Sequence, residues 1–137
     1  MIEFVQRLPK SSGQELEKPV CLTLAPTGVA AYLVGGVTIE SGLGMIPQNK
    51  KRHIGSKQSV TSNLRFLYQD LRVIFIDEIS MVGCDQLAKI NFKLQEIFGN
   101  SEFMGGISVV TTGDFGQLPP VGQSMIWHNS HVDGRLD

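Results

Sequence analysis

Residues 73–81 read VIFIDEISM. An unbroken apolar run leads directly into Asp77 and Glu78, after which apolar residues resume. A strand that is apolar at every position is typical of a parallel sheet covered on both faces, because a strand with one face in water alternates apolar and polar residues. Two neighbouring carboxylates beside a core do not stabilise a protein, since buried charges are unfavourable unless they are paired. The stretch therefore predicts a buried strand whose carboxyl end carries two acids for a chemical purpose.

The composition predicts a globular protein of one domain. The chain has 137 residues, of which 42% are hydrophobic and 18% are charged, and a chain of this length buries roughly two-thirds of its unfolded surface. The net charge is −1, so any attraction to nucleic acid must come from local patches. Because the sequence shows neither a secretory signal nor an apolar stretch of membrane-spanning length, we expect an intracellular protein with no membrane partner.

The cysteines and histidines show no metal-binding pattern. Cys21 and Cys84 are the only cysteines, and neither stands in a CxxC or other metal-ligand spacing. We predict that both are reduced thiols in the core. The histidines are predicted to be surface residues or residues satisfied by ordinary hydrogen bonds; they are His53, His128 and His131.

Apolar runs and helical patterns alternate along the chain between residues 20 and 127. The predicted strands are 20–25, 73–76 and 107–112, and the predicted helices are 29–33, 64–71 and 85–98. We expect Thr61 or Ser62 to cap the second helix and Gly99 to end the third. The remaining segments have too few apolar residues to form a core, and they are a weakly ordered N-terminus (1–19), a loop (47–62) and a C-terminal tail (128–137).

Strands that alternate with helices are typical of a parallel sheet joined by right-handed crossovers. The predicted fold class is therefore α/β, with a parallel sheet flanked by helices. Ligands of such sheets bind beyond the carboxyl ends of the strands. Three polar clusters fall at these ends, and we expect them to converge on one rim: Thr27 with Gly28, Asp77 with Glu78, and Asp114 with Gln117.

The acidic pair has the composition of a site for phosphoryl chemistry. A carboxylate such as Asp77 can hold hydrated Mg²⁺, which prefers one or two carboxylates together with phosphate oxygens. Glu78 can polarise a water molecule for attack on a phosphoryl group. An apolar strand followed by Asp-Glu is the Walker B pattern of nucleotide triphosphatases. The structural alternative is a strand end whose acids cap the following turn.

A second polar stretch, residues 113–121, reads GDFGQLPPV. It places Gln117 in a glycine-containing turn that Pro119 and Pro120 hold in shape. The amide of Gln117 can contact a terminal phosphate without adding charge. The alternative is a proline-rich turn with no further role.

Four stretches in this order resemble motifs of the PIF-type DNA helicases, superfamily 1 relatives of RecD: APTGVAA (25–31), GGVTIES (35–41), VIFIDEISM (73–81) and GDFGQLPPV (113–121). The resemblance covers about residues 20–127. It implies part of a RecA-like P-loop NTPase domain, the first of two such domains with ATP between them. It also implies ATP-driven 5′-to-3′ translocation on single-stranded DNA or at duplex junctions, with Mg²⁺ as cofactor. The family's roles suggest DNA repair, recombination or telomere maintenance, in the nucleus or mitochondrion of a eukaryote.

The resemblance also implies roles for individual residues. Asp77 matches the acid associated with Mg²⁺, and Glu78 matches the acid that activates water. Gln117 matches the glutamine that senses the terminal phosphate, and Asp114 lies beside it on the nucleotide side.

Other matched residues face DNA in the family. Thr27 and Gly28 match a turn that meets the DNA backbone, where a hydroxyl and an open amide suit phosphate contacts. The alternative for Gly28 is a glycine needed only for the bend. Thr38 and Ser41 can donate further hydrogen bonds to DNA.

Two departures from the family pattern limit these expectations. No GxxxxGK[ST] phosphate loop occurs in the sequence, so we expect weak ATP binding and poor hydrolysis by the chain alone, as in a fragment. The family's phosphate-loop strand lies beside the strand of motif III, so residues 107–112 should have an unpaired edge. Where family members have His, this sequence has Glu40, whose charge repels DNA phosphates.

Two other functional classes stay open. One is a non-catalytic module that binds nucleic acid or protein and retains the fold without turnover. The other is a different P-loop triphosphatase, which the GDFGQLPP stretch disfavours. Lys50, Lys51, Arg52 and Lys57 form a basic segment that is either a solvated loop or a DNA contact, and Trp127 is predicted to be a packing residue.

Overall fold

The structure is a computed structural model, and it describes residues 18–45 and 57–126. The strands are β1 (Cys21–Ala25), β2 (Val37–Thr38), β3 (Val73–Ile76) and β4 (Ser108–Thr111). The helices are α1 (Gly28–Leu33), α2 (Ile39–Gly42), α3 (Lys57–Leu67) and α4 (Cys84–Phe98), with 3₁₀ turns at Ile79–Met81 and Phe103–Gly106. No helix in these ranges is both long and apolar enough to cross a membrane. The predictions for Lys50 to Arg52, Trp127 and the three histidines, and those for most of both termini, lie outside the described residues, as does the side chain of Lys57.

The strands form one parallel sheet in the order β2-β1-β3-β4. This confirms the predicted α/β class and the three predicted strands. The sequence reading missed β2, which has only two residues and therefore no periodicity to detect. Within the described residues β4 is an edge strand, as expected.

The core lies where β1 and β3 meet α2 and α4. Leu24, Ile74 and Ile76 of the central strands are fully buried, as are Ile90 and Leu94 of α4. Fully burying an aliphatic side chain of this size contributes about 1.5–3 kcal/mol. The other two residues of β3, Val73 and Phe75, are only half-buried, so the expected cover is complete on one face of the strand and partial on the other.

The start of α3 corrects two predictions. The helix begins at Lys57, within the segment predicted as a loop, and Thr61 lies inside it instead of capping it. Thr61 is buried and shares hydrogen bonds of 3.0 Å with Lys93 and Glu96 of α4, and Arg65 donates to the carbonyl of Ile97 at 2.8 Å. These contacts with α4 extend the helix over polar residues that the apolar pattern did not include.

The remaining element predictions hold with small shifts of boundary. Gly99 ends α4 in the left-handed conformation, with φ of 68°, as glycine does at many helix ends. Cys21 and Cys84 form no disulfide, as predicted, but both are half-buried instead of lying in the core. Burial raises the pKa of the Cys21 thiol, and Cys84 Sγ donates to the carbonyl of Met125 at 3.0 Å.

Tyr68, the residue that follows α3, forms a buried hydrogen bond to α2. Its hydroxyl donates to the carbonyl oxygen of Gly42 at 2.6 Å, and the side chain is almost fully buried. Removal from water disfavours the phenolate and raises the pKa of Tyr68 to about 12. The ordinary value of a tyrosine is about 10, so ionisation of Tyr68 opposes folding.

We expect Tyr68→Phe to reduce the free energy of unfolding by about 1 kcal/mol near neutral pH, because the hydrogen bond is lost. A group whose pKa is higher in the folded state stabilises the fold fully below its unfolded pKa and loses that contribution as pH rises through its folded pKa. The wild-type protein should therefore lose its advantage over the variant between pH of about 10 and about 12. Urea unfolding of both proteins across this range measures the difference, and a difference that does not change with pH contradicts the prediction.

Candidate active site

The carboxyl ends of all four strands lie level at one edge of the sheet. Ile76 is in register with Leu24 of β1 on one side and with Thr111 of β4 on the other. Ala25 is in register with Thr38 of β2. Neighbouring strands are about 4.8 Å apart, so the segments that follow them are held side by side. The structure therefore places the three polar clusters on one rim.

Asp77 lies at the centre of this rim, between β1 and β4. Its backbone amide donates to the carbonyl of Leu24 at 2.9 Å, and its Oδ1 accepts a hydrogen bond of 2.7 Å from the hydroxyl of Thr112. Among the described residues no ion pair involves Asp77. Sequence reasoning missed Thr112, although a threonine at the end of the neighbouring strand was the available signal.

Glu78 has an unusual backbone conformation. Its φ and ψ of 52° and 45° are left-handed, which costs a residue with a Cβ of order 1 kcal/mol and is frequent at functional sites. The residue stands at the N-cap position of the 3₁₀ turn, yet its side chain makes no capping hydrogen bond. The structural alternative, in which the two acids cap the following turn, is therefore wrong: the Asp77 side chain bonds to Thr112, and the Glu78 side chain makes no capping hydrogen bond.

The loop after β4 is organised by Asp114. Its Oδ1 accepts from the amide of Gly116 at 2.8 Å, and its Oδ2 accepts from Nε2 of Gln117 at 3.3 Å. The loop is exposed, and within the described ranges no hydrogen bond joins Gln117 to Asp77 or Glu78. Asp114 thus holds the side chain of Gln117 at the rim.

The threonines predicted to contact DNA have structural roles that the sequence reading did not assign. Thr27 Oγ1 caps α1 by accepting from the amide of Ala30 at 3.2 Å. Thr38 Oγ1 caps α2 in the same way, from the amide of Ser41 at 3.2 Å. A hydroxyl that accepts in a cap still has its own proton to donate, so both caps leave a donor for a further partner.

Gly28 has no structural requirement to be glycine. It starts α1 in an ordinary conformation, and a Cβ added there meets no heavy atom within 4 Å. The alternative explanation was a glycine needed only for the bend. Residue 28 does not adopt a positive φ, so the bend does not require glycine. Ser41 is also exposed on this side of the rim.

Glu40 is directed into the protein. Its Oε1 accepts a hydrogen bond of 3.0 Å from Nε2 of Gln86 in α4, and the residue is partly buried. This contact gives the acid that departs from the family pattern a packing role between α2 and α4.

The donor set at the rim fits a hard cation that is shared with a phosphate. Asp77 and Glu78 offer only oxygen ligands, which Mg²⁺ prefers. The described residues contain no group of three or more His, Cys, Asp or Glu side chains able to hold a metal ion.

A recess between α3 and α4 contains none of the predicted site residues. It is lined by Gly44, Met45, Val60, Lys89, Phe92, Lys93 and Glu96. Lys93 is nearly buried there and pairs with Glu96 at 3.0 Å. Both of these charged side chains also bond to the hydroxyl of Thr61 in α3.

We expect Glu78→Asn to raise the free energy of unfolding by about 0.5–1 kcal/mol, because asparagine adopts the left-handed conformation more readily than glutamate. Glu78→Gln is the matched control, since it removes the charge but keeps the unfavourable side chain. Urea unfolding distinguishes them. Equal stability of the two variants would show that the backbone conformation of Glu78 is not strained.

The fold and the rim together define a class of protein. A parallel sheet flanked by helices, with polar side chains beyond the carboxyl ends of its strands, defines an α/β domain of the ligand-binding kind, as expected for part of a RecA-like domain.

The chain belongs to the PIF1-like helicase family, which matches residues 8–130. It is 35% identical over 131 residues to the ATP-dependent DNA helicase PIF1 of Candida albicans, covering 95% of this chain and 14% of that protein. It is 41% identical over 104 residues to the ATP-dependent DNA helicase Pif1 of Psychrobacter, covering 73% of this chain and 15% of that protein.

Among solved structures, the fold is similar to the Pif1 helicase from Bacteroides in complex with ADP-AlF3 and single-stranded DNA. The TM-score is 0.60 at 34% identity, over 83% of this chain and 25% of that one. With 14% and 15% of the Candida albicans and Psychrobacter proteins covered, the chain spans about a seventh of the length of these curated relatives.

Proposed function

We propose that this segment supplies one side of the ATP site and part of the DNA-binding rim of an ATP-dependent 5′-to-3′ DNA helicase. The observation that carries the proposal is the Asp77–Glu78 pair at the carboxyl end of an inner parallel strand, with neither acid in an ion pair among the described residues. Family membership supports the same reading, and the Bacteroides relative binds both ADP-AlF3 and single-stranded DNA.

Each rim residue has a role in this proposal. Asp77 would hold Mg²⁺, which would neutralise phosphate charge when bound. Glu78 orients and deprotonates the attacking water, and its side chain is available because it makes no capping bond. Gln117 contacts the terminal phosphate, and Asp114 sets the position of that amide through the 3.3 Å hydrogen bond.

The DNA contacts in this proposal come from the ends of β1 and β2. Gly28 lets a phosphate approach the backbone closely, and the hydroxyls of Thr27, Thr38 and Ser41 donate to phosphate oxygens. Such contacts carry no sequence preference, which suits an enzyme that moves along DNA.

Parts of a working helicase come from outside the matched segment in this proposal. The sequence has no GxxxxGK[ST] loop, and the relatives are about seven times longer than the segment that matches them. A phosphate loop and a second RecA-like domain would therefore complete the site. We place the activity in DNA repair, recombination or telomere maintenance, and in the nucleus or mitochondrion if the source is a eukaryote.

A chimera tests this function. Residues 20–127 replace the matching segment of the Candida albicans PIF1 helicase, which keeps its own flanking sequence. We expect the chimera to hydrolyse ATP with Mg²⁺ and to be stimulated by single-stranded DNA. A folded chimera with no stimulated hydrolysis would contradict the proposal.

The alternative is a module that keeps the fold and binds DNA without turnover. The affinity of the 137-residue chain for single-stranded DNA, measured with and without ATP and Mg²⁺, separates the two functions. DNA binding by both chain and chimera that ATP does not change supports the module.

We expect Gly28→Ala to weaken binding of the chain to single-stranded DNA about three- to tenfold, because a methyl group would keep a phosphate away from the backbone amide. The fold should not suffer, since nothing lies within 4 Å of the added Cβ and alanine favours a helix more than glycine does. Fluorescence anisotropy with a labelled oligonucleotide measures the affinity. Ala30→Gly, on the same helix, is the control for altered helix propensity, and unchanged binding by Gly28→Ala contradicts the prediction.

A further inference from the structure

Thr112 holds the turn that carries the two acids through three hydrogen bonds. Its hydroxyl donates to Oδ1 of Asp77 at 2.7 Å. Its amide donates to the carbonyl of Ile76 at 2.9 Å, and its carbonyl accepts from the amide of Ile79 at 2.9 Å. The two backbone bonds flank residues 77 and 78 in sequence, so one residue at the end of β4 constrains both carboxylates.

The hydroxyl has a different effect from the backbone groups. The backbone bonds place the turn, whereas the hydroxyl fixes the rotation of the Asp77 carboxylate. With Oδ1 engaged by Thr112, Oδ2 remains for a cation or its bound water. Carboxylates that bind metals are usually held by such a partner, and loss of the partner typically weakens metal affinity 10- to 100-fold.

We infer that Thr112 is a positioning residue that orients the Asp77 carboxylate toward a divalent cation. This inference rests on the proposed function, which assigns Asp77 to Mg²⁺. It adds a residue that stands outside the Asp-Glu pair and links the strand before GDFGQLPPV to VIFIDEISM.

Three substitutions isolate the hydroxyl in the intact chain. Thr112→Val keeps the branched shape and both backbone bonds but removes the donor. Thr112→Ser keeps the donor and removes a methyl group. Thr111→Val changes the neighbouring exposed threonine of β4 and is the matched control.

The measurement is a titration of the ¹⁵N-labelled chain with Mn²⁺, a paramagnetic substitute for Mg²⁺. The readout is the Mn²⁺ concentration that half-broadens the amide signals of residues 77–79, which does not depend on hydrolysis. We expect Thr112→Val to raise this concentration about tenfold, and Thr112→Ser and Thr111→Val to stay within about twofold of the wild type. Asp77→Asn should abolish the Mn²⁺-dependent broadening of these amide signals.

The possible outcomes distinguish failure of the inference about Thr112 from failure of the metal role proposed for Asp77. If Asp77→Asn removes the broadening but Thr112→Val does not shift it, the inference is overturned and the metal role of Asp77 stands. A Thr112→Val variant that melts at a lower temperature but keeps the wild-type Mn²⁺ affinity has the same meaning, because Thr112 would then be only structural. If the wild type shows no broadening near residue 77, the metal role proposed for Asp77 fails and the inference with it.

Discussion

Glu78→Gln in the chimera is expected to reduce DNA-stimulated ATP hydrolysis by at least about 10²-fold, the effect of losing a general base. Glutamine has nearly the same shape but cannot take a proton from water. Because Glu78 makes no capping hydrogen bond in the turn, the substitution should leave the fold and the affinity for ATP close to those of the unsubstituted chimera. Steady-state hydrolysis at saturating ATP and single-stranded DNA measures the rate.

The control for this prediction is Glu102→Gln. Glu102 is an exposed glutamate before β4, and its hydrogen bonds to Gln95 and Asn100 use its backbone atoms. Its substitution should leave the rate within about twofold of that of the unsubstituted chimera, since surface substitutions of this kind have small effects. A Glu78→Gln chimera that retains more than about a tenth of the rate would remove Glu78 from the role of general base.

The stretches that sequence reading predicted best are those in which local pattern and tertiary environment agree. VIFI forms the inner strand β3, as predicted, and the full burial of Ile74 and Ile76 could be read from the residues alone, although Val73 and Phe75 on the other face are only half-buried. The end of α4 was also readable, since Gly99 adopts a conformation that glycine favours. In both cases the residue type alone indicates the local structure.

The features that were missed depend on contacts between distant segments. Thr61, inside α3, is bonded to Lys93 and Glu96, which lie more than 30 residues away, and nothing in the local sequence indicates these contacts. The hydrogen bond between Glu40 and Gln86 also joins segments that are far apart in sequence, and neither residue type indicates it. The role of Thr112 depends on the register of β3 with β4, which a single sequence does not specify. Candidate residues could thus be named from their motifs, whereas the residues that position them could not.

Gly113→Ala is expected to reduce the free energy of unfolding by about 2–3 kcal/mol and to impair nucleotide chemistry in the chimera. Gly113 has a φ of 152°, and an added Cβ would lie 2.9 Å from the amide nitrogen of Ile79 and 3.4 Å from the carbonyl carbon of Glu78. These are backbone atoms of the acidic turn, so they cannot move aside without displacing it and stretching the 2.9 Å hydrogen bond from Ile79 to Thr112. Gly116→Ala is the matched control for stability, because its Cβ would meet only side-chain atoms, those of Asp114, with the nearest at 3.2 Å. Urea unfolding of the chain and hydrolysis by the chimera measure the two effects. If Gly113→Ala were as stable as Gly116→Ala, and its chimera as active as the unsubstituted chimera, then GDFGQLPPV would not pack closely against the Asp77–Glu78 turn. The two segments would then not share the rim on which the proposed function depends.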